Sequence, residues 1–161
     1  QQRVYRQSDA FSAVQIPHAR RLHRLTLGIE AALRGERRCE LEKACRALLR
    51  ELTQGLGVAP VRLSVLAVRP HDETMELHGA YLPAHGRRRG HVMVWMRTAR
   101  RHQVVAFRTF FRTLLHELCH HLDFELLELA ESYHTEGFYQ RESSLYHQLT
   151  PQALKTRRRK S

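Results

Sequence analysis

The sequence lacks the features that mark disulfide-stapled, secreted or membrane-embedded proteins. Its 161 residues include three cysteines, an odd number without a CxxC pair, which indicates neither a disulfide framework nor a zinc ribbon. No apolar run approaches the roughly 18 residues that suggest a membrane span. The first eleven residues also lack the apolar core of a secretory signal. We therefore expect a cytoplasmic protein with free, buried cysteines and no membrane association.

Acidic residues are scarce relative to basic ones. The chain has 16 Asp and Glu against 27 Lys and Arg, which gives a net charge of +11. Such a surface attracts nucleic acid or acidic partners through long-range electrostatics. Much of the charge lies in three basic segments, at 85–90, 97–102 and 155–160. Because no recognisable nucleic-acid-binding motif accompanies them, the charge leaves nucleic acid open as a partner without identifying one.

The composition is typical of a single globular domain. Hydrophobic residues make up 42% of the chain and charged residues 27%, and the length is sufficient to bury a substantial core. We expect an irregular N-terminal segment over 1–17, one domain over 18–150 and a basic, solvated tail over 151–161. Pro17 marks the expected start of ordered structure.

Hydrophobic periodicity predicts helices, then strands, then helices again. Gly35 interrupts the first helical pattern, which predicts either two helices or one long helix with a kink. The turn-rich stretch before residue 91 predicts a hairpin between the second and third strands. This order of elements indicates a small α+β domain. The predicted elements are helices at 18–33 and 41–52, strands at 61–68, 74–82 and 91–96, a long helix from about 103 and a helix at 136–149.

The clearest chemical signal is LLHELCHHLD at 114–123. His116 and His120 are four residues apart, so on a helix their Cβ atoms lie about 5–6 Å apart and both imidazoles can reach one Zn²⁺ ion. Glu117 directly follows the first histidine, where its carboxylate can accept a proton from a metal-activated water. This HExxH spacing is the zincin pattern.

The same helix has a plainer interpretation. A helical wheel places His120 and Asp123 opposite an apolar stripe, so the two histidines of the motif could simply occupy the wet face of an amphipathic helix. His121 projects away from the pair, which suits packing or an outer contact. The apolar stripe comprises Phe107, Phe111, Leu114, Leu115, Leu118 and Leu122.

A catalytic zinc site needs a third protein ligand. Asp123 shares the metal-facing side, either as a ligand or as a carboxylate that orients the histidines. Glu128 and Glu131 could serve if the chain folds back, and His134 is the stronger candidate.

An unbroken helix would hold His134 about 27 Å from His116 along its axis. The chain must therefore reverse, although the intervening residues include neither Gly nor Pro. We expect the break near 128–131, with Ser132 as the N-cap of a new helix.

The motif HELCH, followed fourteen residues after its second histidine by HTEGF, resembles the SprT-like (Spartan-type) zincin metallopeptidases. The resemblance implies His116, His120 and His134 as ligands of one zinc ion and Glu117 as the general base. It implies that Phe138 is an aromatic residue that packs the following helix. One departure is that the family's usual glycine after the third ligand is threonine here. A second is that no cysteine ribbon follows the domain.

The resemblance also implies a fold. Minimal zincin-like domains have an N-terminal helix or helix pair, a small three-stranded and mainly antiparallel sheet, the HExxH helix and a C-terminal helix. The last strand before the HExxH helix, here 91–97, would be an edge strand that pairs with extended substrate.

These features lead us to expect a zinc metallopeptidase acting on protein or peptide substrates, with Glu117 as general base. One alternative is a non-catalytic basic adaptor or nucleic-acid-associated protein with a zincin-like fold. Another is a zinc hydrolase acting on a non-peptide substrate. The sequence leaves the oligomeric state open. It does not choose among the candidates for contacts around the metal or for oxyanion stabilisation, which are Asp123, Tyr133, Tyr139 and Arg141.

Overall fold

The structure is a computed structural model that describes residues 1–68 and 79–156. Within these residues the chain forms six α-helices and one three-stranded sheet, so the predicted α+β class is confirmed. No helix in this part of the chain is long and apolar enough to cross a membrane. The elements are α1 (Gln2–Asp9), a 3-10 turn (Ala19–Leu22), α2 (His23–Arg34), α3 (Arg38–Leu56), β1 (Arg62–Val68), β2 (Gly79–Leu82), β3 (His91–Arg97), α4 (Phe107–Glu125), α5 (Glu136–Leu149) and α6 (Gln152–Thr156).

The helices follow the predicted periodicity closely. The first pattern forms two separate helices, α2 and α3, with Gly35 as the C-cap of α2. Gly57 ends α3 in the left-handed conformation with φ 67°, where glycine carries no steric penalty. The last long helix, α5, has the predicted bounds. The helix expected from about 103 begins at Phe107.

The prediction of an irregular segment over 1–17 is wrong for its first half. Gln2–Asp9 forms α1, which packs against α5, and order therefore begins well before Pro17. Local periodicity gave no strong helical signal here because Ser8 is the one buried residue of α1. Of the predicted basic tail, 152–156 forms α6 and 157–161 lies outside the described residues.

The sheet is mixed, which corrects the expectation of a mainly antiparallel one. Its strand order is β1-β3-β2. β2 and β3 form the predicted antiparallel hairpin, whereas β1 runs parallel to β3. The central strand is therefore β3, and the expectation that 91–97 is a substrate-binding edge is wrong. The predicted second strand began at 74, but 74–78 lies outside the described residues.

The outer edge of β1 is covered by side chains of α3. Arg46 Nε donates to the carbonyl of Leu63 (3.2 Å) and Arg38 donates to the carbonyl of Val65 (3.0 Å). Glu42 accepts the N–H of Val65 (3.0 Å). Unpaired strand edges invite pairing with other chains, so these contacts close one edge of the sheet. No described strand pairs with the other edge, along β2.

The core lies between the sheet and the helices. β3 contributes Val92, Val94 and Met96 on the face that α4 covers. The predicted apolar stripe of α4 is buried there, and α5 packs on α4 from the other side. This arrangement fixes α4 rigidly between the sheet and α5, and α4 carries the HExxH motif.

Candidate metal centre

The face of α4 that carries the motif is covered by protein rather than by solvent. Asp123, which the helical wheel placed on the wet side, is fully buried, and Glu117 is only 7% exposed. His116 and His120 are partly buried. The covering elements are α5, the loop that precedes it and, over Glu117, β2. The simple interpretation as a wet helix face therefore does not describe these residues.

The chain reverses after α4, as the position of His134 required. The N–H groups of Leu126 and Leu127 both bond to the carbonyl of Leu122 (2.8 and 3.0 Å), which ends the helix. Glu128 then adopts a left-handed conformation with φ 53°. The predicted break was near 128–131, but the helix already ends at Glu125.

The N-cap of α5 is Thr135 rather than the predicted Ser132. Its Oγ1 accepts the N–H of Phe138 (3.1 Å), the usual capping bond three residues on. His134 therefore stands immediately before the cap, at the point where the chain returns to α4.

The three predicted histidines come together through the same ring atom. Nε2 of His134 lies 3.1 Å from Nε2 of His116 and 3.1 Å from Nε2 of His120. Among the described residues, these three form the one group of potential metal ligands whose donor atoms all lie within 4.8 Å of one another. Neither Glu128 nor Glu131, the alternative third ligands, belongs to this group.

Hydrogen bonds at Nδ1 of His116 and His120 determine which ring nitrogen is free to bind a metal. Nδ1 of His116 lies 2.8 Å from Oε1 of Glu142, and a carboxylate accepts, so Nδ1 carries the proton. Nδ1 of His120 lies 2.6 Å from Oγ of Ser132. Ser132 donates its own proton to Oδ2 of Asp123 (2.8 Å), so it accepts from His120. Both rings therefore present a lone pair at Nε2.

This geometry fits a tetrahedral divalent metal such as zinc. Two nitrogens bound to one zinc at about 2.0–2.1 Å lie about 3.3–3.4 Å apart, close to the separations observed here. Burial, followed by the charges of His116 and His134, lowers the pKa of His120 to about 3, which favours the neutral ring that a metal requires. Burial also lowers the pKa of His134. Three protein ligands would leave a fourth coordination position for water or substrate.

Glu117 lies beside this cluster against the backbone of β2. A Cβ atom on Gly79 would stand 3.0 Å from Cγ and 3.1 Å from Oε1 of Glu117, so the strand passes directly over the carboxylate. Burial raises the pKa of Glu117 to about 7, and the charge of His116 opposes part of that rise. A carboxylate whose pKa is near neutrality is well suited to accept and return a proton.

Aromatic rings pack the cluster from α5. Phe138 is fully buried, and its ring centroid lies 4.9 Å from that of His116, 4.7 Å from His120 and 5.2 Å from His134. Tyr139 is 48% exposed, with its ring 5.8 Å from that of His134. Phe138 therefore contacts all three imidazoles, in addition to its expected role in packing α5.

The other candidates from the sequence take different positions. Asp123 accepts from Ser132 and from Nη2 of Arg141 (3.0 Å), so it acts on His120 through Ser132. Arg141 is 1% exposed, and both of its Nη groups donate to partners inside the protein, so this conformation leaves neither of them for an oxyanion. Tyr133 stacks on Tyr5, with ring centroids 5.0 Å apart. Of the four candidates, Tyr139 is the one whose ring lies beside the imidazoles and is also exposed to solvent.

His121 contacts the sheet rather than the cluster, in agreement with its predicted direction. Its Nε2 donates to the carbonyl of Ala59 (2.7 Å), and its Nδ1 lies 2.8 Å from the hydroxyl of Tyr81. The ring is fully buried and fixes α4 against β2.

Sequence reasoning missed Glu142 and the bond that His120 donates to Ser132. Glu142 lies four residues after Phe138, so on α5 the two share a face, and that spacing could have indicated it. Ser132 was identified as a cap, and no sequence signal distinguishes a cap from a histidine partner.

Comparisons with known proteins identify no family. No protein-family model matches the chain, and neither a curated protein nor a solved structure matches it.

Proposed function

We propose that the protein is a zinc-dependent metallopeptidase of the SprT-like kind. The observation that carries the proposal is the meeting of three imidazole Nε2 atoms from two segments beside the buried Glu117. Nε2 of His134 lies 3.1 Å from each of the other two. His116 and His120 come from the HExxH helix and His134 from the loop before α5, as the resemblance implies. A metal site that only stabilises the fold does not require a carboxylate at this position.

The chain's own groups have distinct roles in this proposal. Bound zinc would act as a Lewis acid that polarises a peptide carbonyl and acidifies a water molecule. Glu117 would accept the proton of the attacking water and deliver it to the leaving amine. Tyr139 is the remaining predicted candidate for a donor to the oxyanion, because its ring lies beside His134 and is half exposed.

The edge of β2 with which no described strand pairs is the proposed position for extended substrate. β2 carries Gly79 directly above Glu117 and ends at Leu82, which is 54% exposed. A peptide added as a further strand would bond to the β2 backbone and pass the carboxylate. This position replaces the edge expected at 91–97, because β3 is central.

Zinc content and cleavage test the proposal separately. Purified protein should contain close to one zinc per chain, and His134→Ala should lose it. Glu117→Gln should keep the zinc and lose cleavage of a disordered test protein such as denatured casein. Absence of zinc in protein purified without chelators would refute the metal centre, whereas normal cleavage by Glu117→Gln would refute the base alone.

The two alternatives predict different outcomes of the same assays. A non-catalytic adaptor would bind zinc without cleaving proteins, and Glu117→Gln would leave its properties unchanged. A zinc hydrolase for another bond would cleave a panel of ester or amide substrates in a Glu117-dependent way and spare peptides. The position of Glu117, buried beside the three imidazoles and under β2, favours either enzyme over the adaptor. A cytoplasmic location remains a proposal that rests on the three free cysteines.

A nucleic-acid partner is proposed from one further observation. Four arginines line a cavity of about 320 Å³ between α3 and β1, namely Arg46, Arg50, Arg62 and Arg89. Besides burial, the charges of Arg62 and Arg46 lower the pKa of His91, so the local field is positive. Arg46 is held by Glu42 (2.9 Å) and by the carbonyl of Leu63, so the guanidinium groups of the other three arginines are the ones proposed to contact phosphates.

Salt dependence tests that partner. Binding of a labelled single-stranded oligonucleotide should weaken steeply between about 50 and 200 mM salt, because phosphate contacts release counterions. Arg50→Gln with Arg62→Gln should weaken it further, whereas Arg20→Gln with Arg24→Gln, of equal charge, should do so less. A flat salt response or equal effects of the two pairs would remove this cavity as a nucleic-acid site.

A further inference from the structure

A buried chain of hydrogen bonds leads from His120 away from the metal centre. Nδ1 of His120 donates to Ser132 (2.6 Å), and Ser132 donates to Oδ2 of Asp123 (2.8 Å). Nη2 of Arg141 donates to Oδ1 of the same carboxylate (3.0 Å). Asp123 is 0% exposed and Arg141 is 1% exposed. Because both charges are removed from water, each depends on the partners that the protein provides.

Arg141 connects this chain to the N-terminus of the protein. Its Nη1 donates to the carbonyls of Ser8 and Phe11 (2.5 and 2.7 Å), and its Nη2 donates to Oγ of Ser8 (2.9 Å). The residue that holds Asp123 is therefore itself held by the end of α1 and the residues just beyond it. These partners are more than 125 positions away in sequence.

The same N-terminal residues also hold the start of α5. Oγ of Ser8 lies 2.8 Å from Oγ1 of Thr135, the N-cap of α5, and Oδ1 of Asp9 accepts the N–H of Gly137 (2.8 Å). The approach is close, since a Cβ on Gly137 would stand 2.6 Å from the carbonyl oxygen of Ser8 and 2.8 Å from Cα of Asp9. This end of α5 follows His134 directly, so its position determines where the third imidazole lies.

A third contact involves the residue that precedes His134 in the chain. Tyr5 of α1 stacks on Tyr133, the residue before His134, with ring centroids 5.0 Å apart. The N-terminal segment is thus connected to two of the three histidines. It reaches His120 through Arg141, and it reaches His134 through the residues on either side of it.

We propose that the N-terminal segment is a positioning component of the metal centre through four of its residues, Tyr5, Ser8, Asp9 and Phe11. Arg141 is the junction, so that docking of these four residues sets the affinity for the metal. The proposal rests on the proposed zinc site. A role confined to packing would instead change overall stability and leave the intrinsic affinity for metal as it is. The two roles therefore predict different results in metal titration.

Zinc titration of the full chain against a chromophoric chelator tests this. Ser8→Ala combined with Asp9→Ala removes the side-chain contacts to Arg141, Thr135 and Gly137. We expect the zinc Kd to rise about 10-fold or more, within the range for outer partners of metal ligands. Asp9→Asn keeps an acceptor for Gly137 and should bind zinc nearly as tightly as wild type. Gln7→Ala, exposed on the same helix, is the matched control and should leave the zinc Kd unchanged.

Two further readouts separate positioning from packing. The visible spectrum of the cobalt-substituted protein reports ligand geometry and should change in the double variant but not in Gln7→Ala. The rise in Tm on adding zinc should shrink in the double variant, because that rise reflects affinity. If Ser8→Ala alone proves the better-folded variant, the same titration applies to it, with a smaller increase expected.

The outcomes distinguish this inference from the proposed function. Wild-type zinc affinity and an unchanged cobalt spectrum in a folded double variant would overturn the positioning role and leave the zinc site intact. Failure of the wild-type protein to bind zinc would overturn the proposed function, and this inference with it.

Discussion

At the scale of single residues, the candidate centre depends on the hydrogen-bond partners of the histidine rings as much as on the histidines themselves. Glu142 and Ser132 bind Nδ1 of His116 and His120, which leaves both Nε2 atoms free to face His134. A histidine bound only at Nε2 could rotate or exchange tautomers, and each such freedom lowers metal affinity. The two outer partners also differ in charge, since Glu142 is a carboxylate and Ser132 is neutral.

Substitution of Glu142 should reveal the role of that carboxylate. Glu142→Gln keeps an acceptor for Nδ1 of His116 but removes the charge, so we expect zinc binding to weaken by about tenfold. Glu142→Ala removes both and should weaken it further. Glu136→Gln, exposed in the first turn of the same helix, is the control. The order wild type, Gln, Ala should appear in chelator competition; equal affinities for all three would show that Glu142 does not tune His116.

At the scale of secondary structure elements, much of the fold follows from local pattern. α3, α4 and α5 were predicted because each carries an apolar stripe that the helix itself brings to one face. The hairpin of β2 and β3 was predicted from its turn. The place of β3 in the sheet was not, because strand order depends on which distant segment pairs with it.

A signal for the central position of β3 was nevertheless present. Val92 and Val94 lie on one face and Met93 and Trp95 on the other, and a strand with apolar residues on both faces is typical of an interior position. The cover on β1 could not be predicted, since Arg38, Glu42 and Arg46 look like an ordinary solvated helix face in the sequence.

The fit between β2 and α4 should tolerate no side chain at Gly79. An added Cβ would stand 2.8 Å from Cγ2 of Thr113 and 3.0 Å from Cγ of Glu117, which forces the strand and the carboxylate apart. Overpacking of this kind costs about 1–3 kcal/mol of stability. We expect Gly79→Ala to lower cleavage at least tenfold while zinc is retained, because the atoms nearest to the added Cβ belong to Thr113 and Glu117 and not to a histidine.

Thr113→Ser offers the matched test of that fit. It removes the Cγ2 atom that an added Cβ would meet first, so Gly79→Ala combined with Thr113→Ser should regain stability in urea denaturation. Cleavage should recover less, since Glu117 remains crowded. Wild-type cleavage by Gly79→Ala would show that the contact has no effect on the carboxylate.

At the scale of the whole molecule, the candidate site joins three distant parts of the chain. The HExxH pair is visible in five consecutive letters, and His134 follows from the spacing and the family resemblance. The contacts of Ser8 with Arg141 and Thr135 join residues 127 and more positions apart, and no local pattern encodes them. The N-terminal segment was therefore expected to be irregular, although it packs on the very residues that position the third imidazole.

The burial of ionisable groups in the metal-free site should make stability depend on pH in two opposite ways. The pKa of Glu117 is raised to about 7, so its carboxyl stabilises the fold fully below its unfolded value of 4.5, and this contribution is lost as pH rises through 7. The pKa of His120 is lowered to about 3, so its contribution is present above the unfolded value of 6.5 and is lost as pH falls toward 3.

Denaturation by urea in EDTA, between pH 4 and 8, can separate these two contributions. Relative to Glu117→Gln, the wild-type protein should lose free energy of unfolding as pH rises from about 4.5 to 7, because only the wild type must bury a forming carboxylate. Relative to His120→Gln, it should lose free energy of unfolding as pH falls below about 6.5. The reason is that the imidazole takes up a proton in the unfolded protein and stays neutral in the folded protein. Parallel curves for wild type and either variant would mean that the group concerned titrates as it does in water. The surroundings of that group in the metal-free site would then have no effect on its pKa.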